Sequence, residues 1–428
     1  MLISILEGRI GEITVSGNRH YSTEFIRGNF AQAMQDNVIR NVALERALLL
    51  LNDYPDLKVS TVLEPGASTG STNVHVNAED KLPIHATLDY NNYGNNAISR
   101  NRFGATAEVG NVIFDGATLN LNGIIGDHPD NLQFLTGSYL VPINVHGTKL
   151  VLSGSDGRFD VGAQLAELQI HGKIKTYDIS VIHPFIKTRF QTLTAETGFA
   201  SKDNKLFTLG ATTGDDAIRL VKLGVNYDRL DLSGRIYVSL YGYQGLGQVL
   251  GGMDDNSSQT TRQGADNRFT KATLNVGRIQ SLGRDVLLVL RSSGQVTTGP
   301  VVVIEQMLLG GPDSVRGYQL GERFVDEGYT LSAETRIPIF PSLMPTALER
   351  TQGTVFIDYG AGLLRNPQPG EQRSSSLTGT GFGLQTELPY FSTRLRADVG
   401  FPIGPKPAGG TISGDRSPTF YLQAIARF

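Results

Sequence analysis

The chain has 428 residues, 50 of them glycine, no cysteine, and a formal net charge of −3. That balance gives no electrostatic footprint for nucleic acid. The lack of cysteine excludes disulfides, a thiolate metal centre and a cysteine nucleophile, and it suits a chain that crosses an oxidising compartment. No run approaches the ~20 apolar residues of a membrane helix; the most apolar stretches are Ala47–Leu51 and Val286–Leu290. Low average hydropathy is also what barrel strands produce, because lipid-facing and lumen-facing residues alternate. No signal peptide stands at Met1, so a chain bound for the periplasm or outer membrane is expected here in a mature or shortened form.

Residues 1–81 mix helix and strand. Gly8–Val15 is expected as a strand ending in the turn Ser16-Gly17-Asn18. Ser22 is placed to cap a helix over Glu24–Met34, with Ile26, Phe30, Ala33 and Met34 on one face. A second helix is expected over Asn41–Asn52, burying Leu44, Ala47, Leu48 and Leu51. Leu57–Leu63 and Asn73–Asn77 then alternate as strands, and Glu79-Asp80-Lys81 is expected to close the unit as a short polar linker. The order is strand, helix, helix, strand, strand.

From Leu82 onward the pattern changes to alternating segments of about ten residues, broken by Gly, Asn, Asp and Pro. Leu119–Ile125, Phe134–Tyr139, Lys149–Ser153, Ile174–Val181, Val221–Tyr227, Ile236–Tyr241 and Ala272–Val276 are examples. The roughly 346 residues in this region support on the order of sixteen strands, so residues 82–428 are expected to form a transmembrane antiparallel β-barrel. On Thr419–Phe428, Phe420, Leu422, Ala424, Ala426 and Phe428 share one face. On Arg394–Phe401, Leu395, Ala397, Val399 and Phe401 share one face, and Arg394, Arg396 and Asp398 the other. On Thr330–Ile337 the same alternation turns Glu334 and Arg336 inward. A soluble β-sandwich or propeller would not accept such charges unpaired in a dry core. With no Trp in the chain, any aromatic girdle is expected from its 15 Tyr and 19 Phe.

Leu309–Tyr318 reads L-G-G-P-D-S-V-R-G-Y, and Phe356–Gly360 reads F-I-D-Y-G. These resemble two motifs of the polypeptide-transporting barrel superfamily, V-R-G-Y and F-x-D-x-G. The resemblance implies an extracellular loop folded into the lumen around 310–326, carrying Val315, Arg316, Gly317 and Tyr318. It also implies that Arg316 meets Asp358 on a wall strand that bears Phe356 and Gly360. Such a pair supplies a bidentate charge-assisted bond, expected to contribute about 1 kcal/mol in a wet lumen and more where water is excluded. The terminal Phe428, with Phe420 and Leu422, resembles the signal by which outer-membrane barrels are recognised for assembly.

Gly8–Asn18 resembles the opening of a POTRA domain, the periplasmic module of this superfamily. That implies client capture along a sheet edge, expected at Leu57, Val59, Thr61 and Leu63. One such domain directly before a barrel resembles a shortened two-partner secretion transporter of the haemolysin-activator type. The resemblance implies a Gram-negative outer-membrane protein, monomeric, with its POTRA domain in the periplasm. It would secrete a large partner exoprotein bearing an N-terminal secretion domain, without nucleotide hydrolysis. Its other partners would be outer-membrane lipid, lipopolysaccharide and, during biogenesis, the barrel-assembly machinery.

The alternative within the superfamily is a barrel-assembly insertase working through a weak seam between first and last strands; the regular, glycine-free Thr419–Phe428 strand argues for a closed seam. A passive porin would leave the N-terminal domain and both motifs unexplained. Gly379, Gly381 and Gly383 lack the helix and lysine of a phosphate loop, and more simply leave room for a loop inside the barrel. Asp254-Asp255-Asn256 lacks calcium-loop spacing, and the seven His are scattered. No enzyme, metal or cofactor is therefore expected.

Overall fold

The structure is a computed structural model and describes residues 9–33, 40–254, 257–339, 350–404 and 417–428. The chain opens with β1 (Arg9–Ser16), α1 (Thr23–Ala33), α2 (Asn41–Leu51), β2 (Leu57–Pro65) and β3 (Ser71–Asp80). β3 is central, parallel to β1 and antiparallel to β2, so both outer strands are edges. Ser22 caps α1, its Oγ accepting the Phe25 N–H at 3.1 Å. Both helices lie on one face of the sheet, where Ile26, Phe30, Leu51, Leu57, Val59, Val74 and Val76 form a core. Each such buried side chain contributes roughly 1.5–3 kcal/mol. Met34, expected on the α1 face, lies outside the described residues.

Glu79 and Asp80 are not linker, as the sequence suggested, but the end of β3. The Asp80 carboxylate accepts the backbone N–H groups of Arg19, His20 and Tyr21 at 2.7–2.9 Å. Those donors stand exposed after the β1 turn, and an acidic strand end satisfies all three.

Sixteen antiparallel strands then close into a barrel. They are β4 (Ile84–Asn91), β5 (Arg102–Gly110), β6 (Thr118–Gly126), β7 (Leu132–Pro142), β8 (Lys149–Asp160), β9 (His171–Lys187), β10 (Gln191–Thr208) and β11 (Ala211–Asp231). There follow β12 (Gly234–Gly245), β13 (Thr270–Ser281) and β14 (Leu287–Thr297), then, after a long loop, β17 (Glu327–Pro338), β18 (Gln352–Leu363), β19 (Ser374–Leu388), β20 (Thr393–Ile403) and β21 (Thr419–Arg427). The loop carries a small hairpin, β15 (Met307–Leu309) and β16 (Arg323–Val325). Outward positions are apolar and exposed, among them Phe103, Leu135, Ile179, Leu223, Val355 and Leu422, as a lipid-facing wall requires. Among the described residues no helix is long and apolar enough to cross a membrane.

Strand length is uneven. β4, β5 and β6 have 8 or 9 residues, as the spacing suggested, but β9, β10 and β11 have 17, 18 and 21. At about 3.4 Å per residue and ~40° of tilt, β11 rises roughly 55 Å, more than twice an apolar band of ~25 Å. The connections that pair these long strands directly, three residues for β9–β10 and two for β10–β11, leave no turn cluster to mark where membrane ends.

The N-terminal domain sits against the turns at one mouth of the barrel. The Asp56 carboxylate pairs with His85 at 2.6 Å, Asp53 with Lys187 at 2.8 Å and Glu45 with Arg189 at 2.9 Å. Arg46 donates to the carbonyls of Pro184 and His146. Tyr54 lies beneath the Lys149 ammonium.

Candidate functional site: a loop seated in the barrel lumen

The loop between β14 and β17 enters from the mouth opposite the N-terminal domain. Its tip places Arg316 against the inner faces of β17, β18 and β20. Nε and Nη2 of Arg316 donate to the two carboxylate oxygens of Asp358 at 2.7 and 2.9 Å, and its backbone N–H donates to the same group at 3.1 Å. Nη1 pairs with Glu334, and Asp398 lies 3.7 Å away. Glu334 also takes Arg336 at 2.8 Å and Arg396 at 2.7 Å, and Arg396 holds Asp398 at 2.8 Å. Three guanidiniums thus neutralise three carboxylates. The Arg316 guanidinium lies 3.4 Å above the Phe356 ring, a stacked cation–π contact.

Arg316 and Glu334 are 0% exposed and Asp358 1%. The wet-lumen figure of about 1 kcal/mol does not apply to such a pair. Breaking a buried pair typically costs ~3–5 kcal/mol, because it leaves an uncompensated charge.

Small residues make the seat. A Cβ on Gly379 would collide with the Arg316 carbonyl oxygen, and one on Gly400 with the Gly317 nitrogen. Gly381 lies under the Phe356 ring and Gly383 beside Asp398, so of the alternating glycines of β19 Gly379 clears space for the loop itself and the other two for wall residues that Arg316 meets. Gly317 itself adopts φ +105°, which a side chain would strain. From β21, Tyr421 Oη accepts the Gly317 N–H at 3.0 Å and donates to the Tyr318 carbonyl at 2.5 Å, while Thr419 Oγ1 donates to the Gly317 carbonyl at 2.9 Å. Val315 and Tyr318 pack with Leu309, Val325 and Leu377 in a small apolar cluster, and Gly360 gives Val315 its clearance.

Two placements differ from the sequence assignments. Arg394, grouped with the lumenal charges, stands apart from the cluster; it follows the Tyr390–Ser392 turn at the strand end, 61% exposed, and pairs with Glu387 at 3.0 Å. Leu57 and Val59, assigned to a client-binding edge, are buried in the domain core. Their side chains hold the edge in place rather than line a surface. Thr61 and Leu63 remain at the open part of β2.

Several residues carried no recognisable pattern. Tyr421 is an aromatic on the lumenal face of the last strand, the one signal that marked it. Glu305, in the loop itself, is 1% exposed between Lys202 at 2.6 Å and Lys271. Asp326, fully buried, accepts the backbone N–H groups of Val301 and Arg365 and pairs with Arg262 at 3.3 Å. These ion pairs fasten the loop to β10, β13 and the β12–β13 connection at the mouth.

A closed sixteen-strand barrel, an arginine-tipped loop bound in its lumen and an α+β domain at one mouth define a polypeptide-transporting outer-membrane barrel. The chain belongs to the haemolysin secretion/activation protein family ShlB/FhaC/HecB, whose family model matches residues 70–386. It is a two-partner secretion transporter, which secretes a partner exoprotein. It is 24% identical over 441 aligned residues to the heme/hemopexin transporter protein HuxB of Haemophilus influenzae, covering 100% of this chain and 74% of the relative. In fold it is similar to CdiB from Escherichia coli, with a TM-score of 0.80 at 16% identity, covering 99% of this chain and 77% of that one. BamA from Haemophilus ducreyi lacking POTRA domains 1–3 follows at a TM-score of 0.67 and 16% identity, covering 98% and 85%.

Proposed function

We propose that the partner exoprotein passes unfolded through the barrel lumen without nucleotide hydrolysis, and that the Val315–Tyr318 loop sets whether the lumen conducts. The observation that carries this is the balanced buried charge cluster around Arg316. It fixes a loop, by many directional bonds, in the space a client has to cross. The N-terminal unit, residues 1–81, acts as a periplasmic POTRA domain and receives the secretion domain of the client. The terminal strand, with Phe420, Leu422 and Phe428 facing lipid, is what the barrel-assembly machinery reads, and the transporter works as a monomer.

The receiving edge is short. Val59 has both backbone groups taken by the Asn52 side chain, at 2.9 and 3.0 Å. Strand alternation turns the N–H and C=O of Thr61 and Leu63 to the same side, where an added strand would pair. Thr61→Pro removes one donor on that side and is tolerated at an edge. Secretion of the exoprotein by cells carrying this variant should fall at least tenfold with normal barrel levels. Unchanged export would overturn the edge assignment.

The insertase reading has one observation in its favour. The β21–β4 seam pairs over five residues, Gln423–Arg427, where β11–β12 pairs over twelve. Loss of other outer-membrane barrels on depletion, with export intact, would replace the secretion reading by this one.

A further inference from the structure

The lumenal face of β6, β7 and β8 differs in chemistry from the rest of the inner wall. Leu121, Ile125, Leu135 and Leu152 are exposed on the lipid side, so the alternate residues of these strands face the lumen. Those residues carry a single charge, Lys149, at the end beside the N-terminal domain. Asn120, Asn122, Thr136, Ser138, Ser153 and Ser155 form a neutral belt across the middle. Beyond it, toward the opposite mouth, Ile124, Leu132, Phe134 and Phe159 face inward together with Ile174 of β9. Apolar side chains depart from the polar lining of a wet lumen. All five are half-buried, and none joins the described apolar clusters. Phe134 lies over Gly157 and Phe159 over Gly172, where a Cβ would meet each ring; the two rings thus rest against the wall and leave the lumen clear.

The turns at the foot of this wall hold the N-terminal domain. Ser22 bonds Asp115 in the β5–β6 turn, and Arg46 donates to the His146 carbonyl in the β7–β8 turn at 3.2 Å. The inserted loop is committed to other strands. Its root, Val301 and Val302, packs on Ala200, Ile218 and Leu220 of β10 and β11, and its tip seats on β17, β18 and β21. Those sides of the barrel carry the ion pairs of Lys202, Lys271, Glu334, Asp358 and Arg396. A long unfolded chain presents every kind of side chain in turn, and a charge fixed on the wall would hold some of them and repel others. Neutral hydroxyl and amide groups offer its backbone only ordinary hydrogen bonds, about half as strong as those made by charged groups.

We propose that the lumenal wall of β6–β8 is the track along which the unfolded exoprotein crosses, and that the apolar patch at its outer end takes the client's apolar side chains just before release. The inference rests on the reading that the client passes through the lumen. An extended chain sets side chains of one face about 6.8 Å apart. The two rows of the patch, Ile124 with Phe134 and Leu132 with Phe159, are likewise two residues apart on β7, so successive apolar side chains of the client meet successive rows.

The test uses cells that carry this transporter and its epitope-tagged partner exoprotein. A benzophenone amino acid placed at Ser138 or Ile124 should give light-dependent adducts with the exoprotein, and one at Asn275, equally lumenal on β13, at least tenfold fewer. Adducts chiefly from Asn275 would overturn the track while keeping passage through the lumen. Adducts from none of the three positions during active secretion would overturn that passage, and the track with it. Ser138→Lys with Ser153→Lys, which face one another on β7 and β8, should lower secretion at least tenfold. Asn275→Lys with Ser293→Lys, a facing pair on β13 and β14, should leave it within twofold. Equal losses from the two pairs, or none from the first, would also overturn the track. Phe134→Ser with Phe159→Ser should cut the adduct yield from Ile124 at least threefold and keep that from Ser138; an unchanged yield would remove the patch from the route. Heat-modifiable gel migration confirms that each variant barrel is folded, and Ser138→Lys or Phe134→Ser alone serves where a pair is not.

Discussion

Truncating Arg316 to alanine separates the loop from the wall without touching a strand. In the intact cluster Asp358 has one cationic partner, Arg316, while Glu334 keeps Arg336 and Arg396 when Arg316 is lost. The orphaned group is therefore Asp358, buried at 1% exposure. Removing one member of such a pair costs about 3–5 kcal/mol, and each 1.4 kcal/mol is about tenfold in an equilibrium. Protection of loop amides between Leu309 and Val325 against hydrogen exchange should drop by roughly two to three and a half decades. Amides of β10 and β11 should keep their protection, since no ladder bond is removed. Exoprotein secretion by Arg316→Ala should fall while barrel assembly stays intact. Arg316→Lys should give an intermediate loss, because an ammonium cannot make the two-pronged contact with Asp358. The double variant Arg316→Met with Asp358→Asn should recover part of the loop protection, having no uncompensated charge. Loop exchange within threefold of the original in Arg316→Ala would refute the reasoning. So would equal loss of protection in loop and strands, which would mark the cluster as a barrel support and not a loop anchor.

Gly379→Ala should release the loop as Arg316→Ala does, by collision with the Arg316 carbonyl and not by loss of charge; exchange of the same loop amides reads it, and an unchanged loop would show that the wall gives way instead. Asn92→Ala removes two bonds that the side chain makes across the seam, to Leu422 N at 2.7 Å and Phe420 O at 3.0 Å. A loss of about 1–3 kcal/mol should lower the temperature at which the barrel loses its heat-modifiable form, and an unaltered temperature would place barrel stability elsewhere. In the N-terminal domain, burial works against the Asp80 carboxylate, but the N–H groups of Tyr21, His20 and Arg19 hold it below the ordinary value of 3.8. Its stabilising effect is then complete above that ordinary value and is lost as pH falls through the lower folded one. Asp80→Asn should flatten the acid limb of the domain's exchange profile, and an identical acid limb in both proteins would exclude this role.

The barrel was legible because alternation is a local property. Val355, Ile357 and Leu331 could be assigned to lipid, and Glu334 and Asp358 to the lumen, from parity alone, and the exposed and buried sides of β17 and β18 follow that parity. Parity gives no depth, which is why Arg394 and Arg396 looked alike. One stands at a strand end in solvent and the other within the cluster. Parity also gives no partner across the barrel. Tyr421 and Gly317 are 104 positions apart, and Glu305 and Lys202 are 103. Such contacts depend on how the loop enters the lumen, which short-range pattern does not encode. At Leu57 and Val59 of the edge strand β2 the pattern is silent for a related reason: it does not show that the side chains lie in the core or that the Asn52 side chain takes the Val59 backbone groups. In an edge strand the backbone groups point sideways, whereas these side chains point into the domain core, so naming the strand does not name the contact surface.

The seat of the loop and the closure of the barrel share residues. Tyr421 lies on β21, the strand that forms the seam, and its hydroxyl binds both Gly317 and Tyr318. Across the seam the β4–β5 loop supplies Asn92, whose side chain satisfies backbone groups of Leu422 and Phe420 where the five-residue ladder has ended. Arg100 of the same loop donates to the Phe420 carbonyl at 3.0 Å, and the backbone N–H of Asn96 donates to Gln319 of the inserted loop at 2.9 Å. The Tyr93 ring meets Tyr421 edge-on at 6.2 Å. The shortest ladder in the barrel is thus reinforced by side chains that also hold the loop tip. A loop that leaves the lumen takes the bonds on Tyr421 with it and frees the β4–β5 loop on one side. Seam strength and loop occupancy are therefore coupled through Tyr421 and residues 92–100. The Arg316→Ala and Asn92→Ala losses should be non-additive when combined, whereas either one combined with a distant change in β12 should simply add.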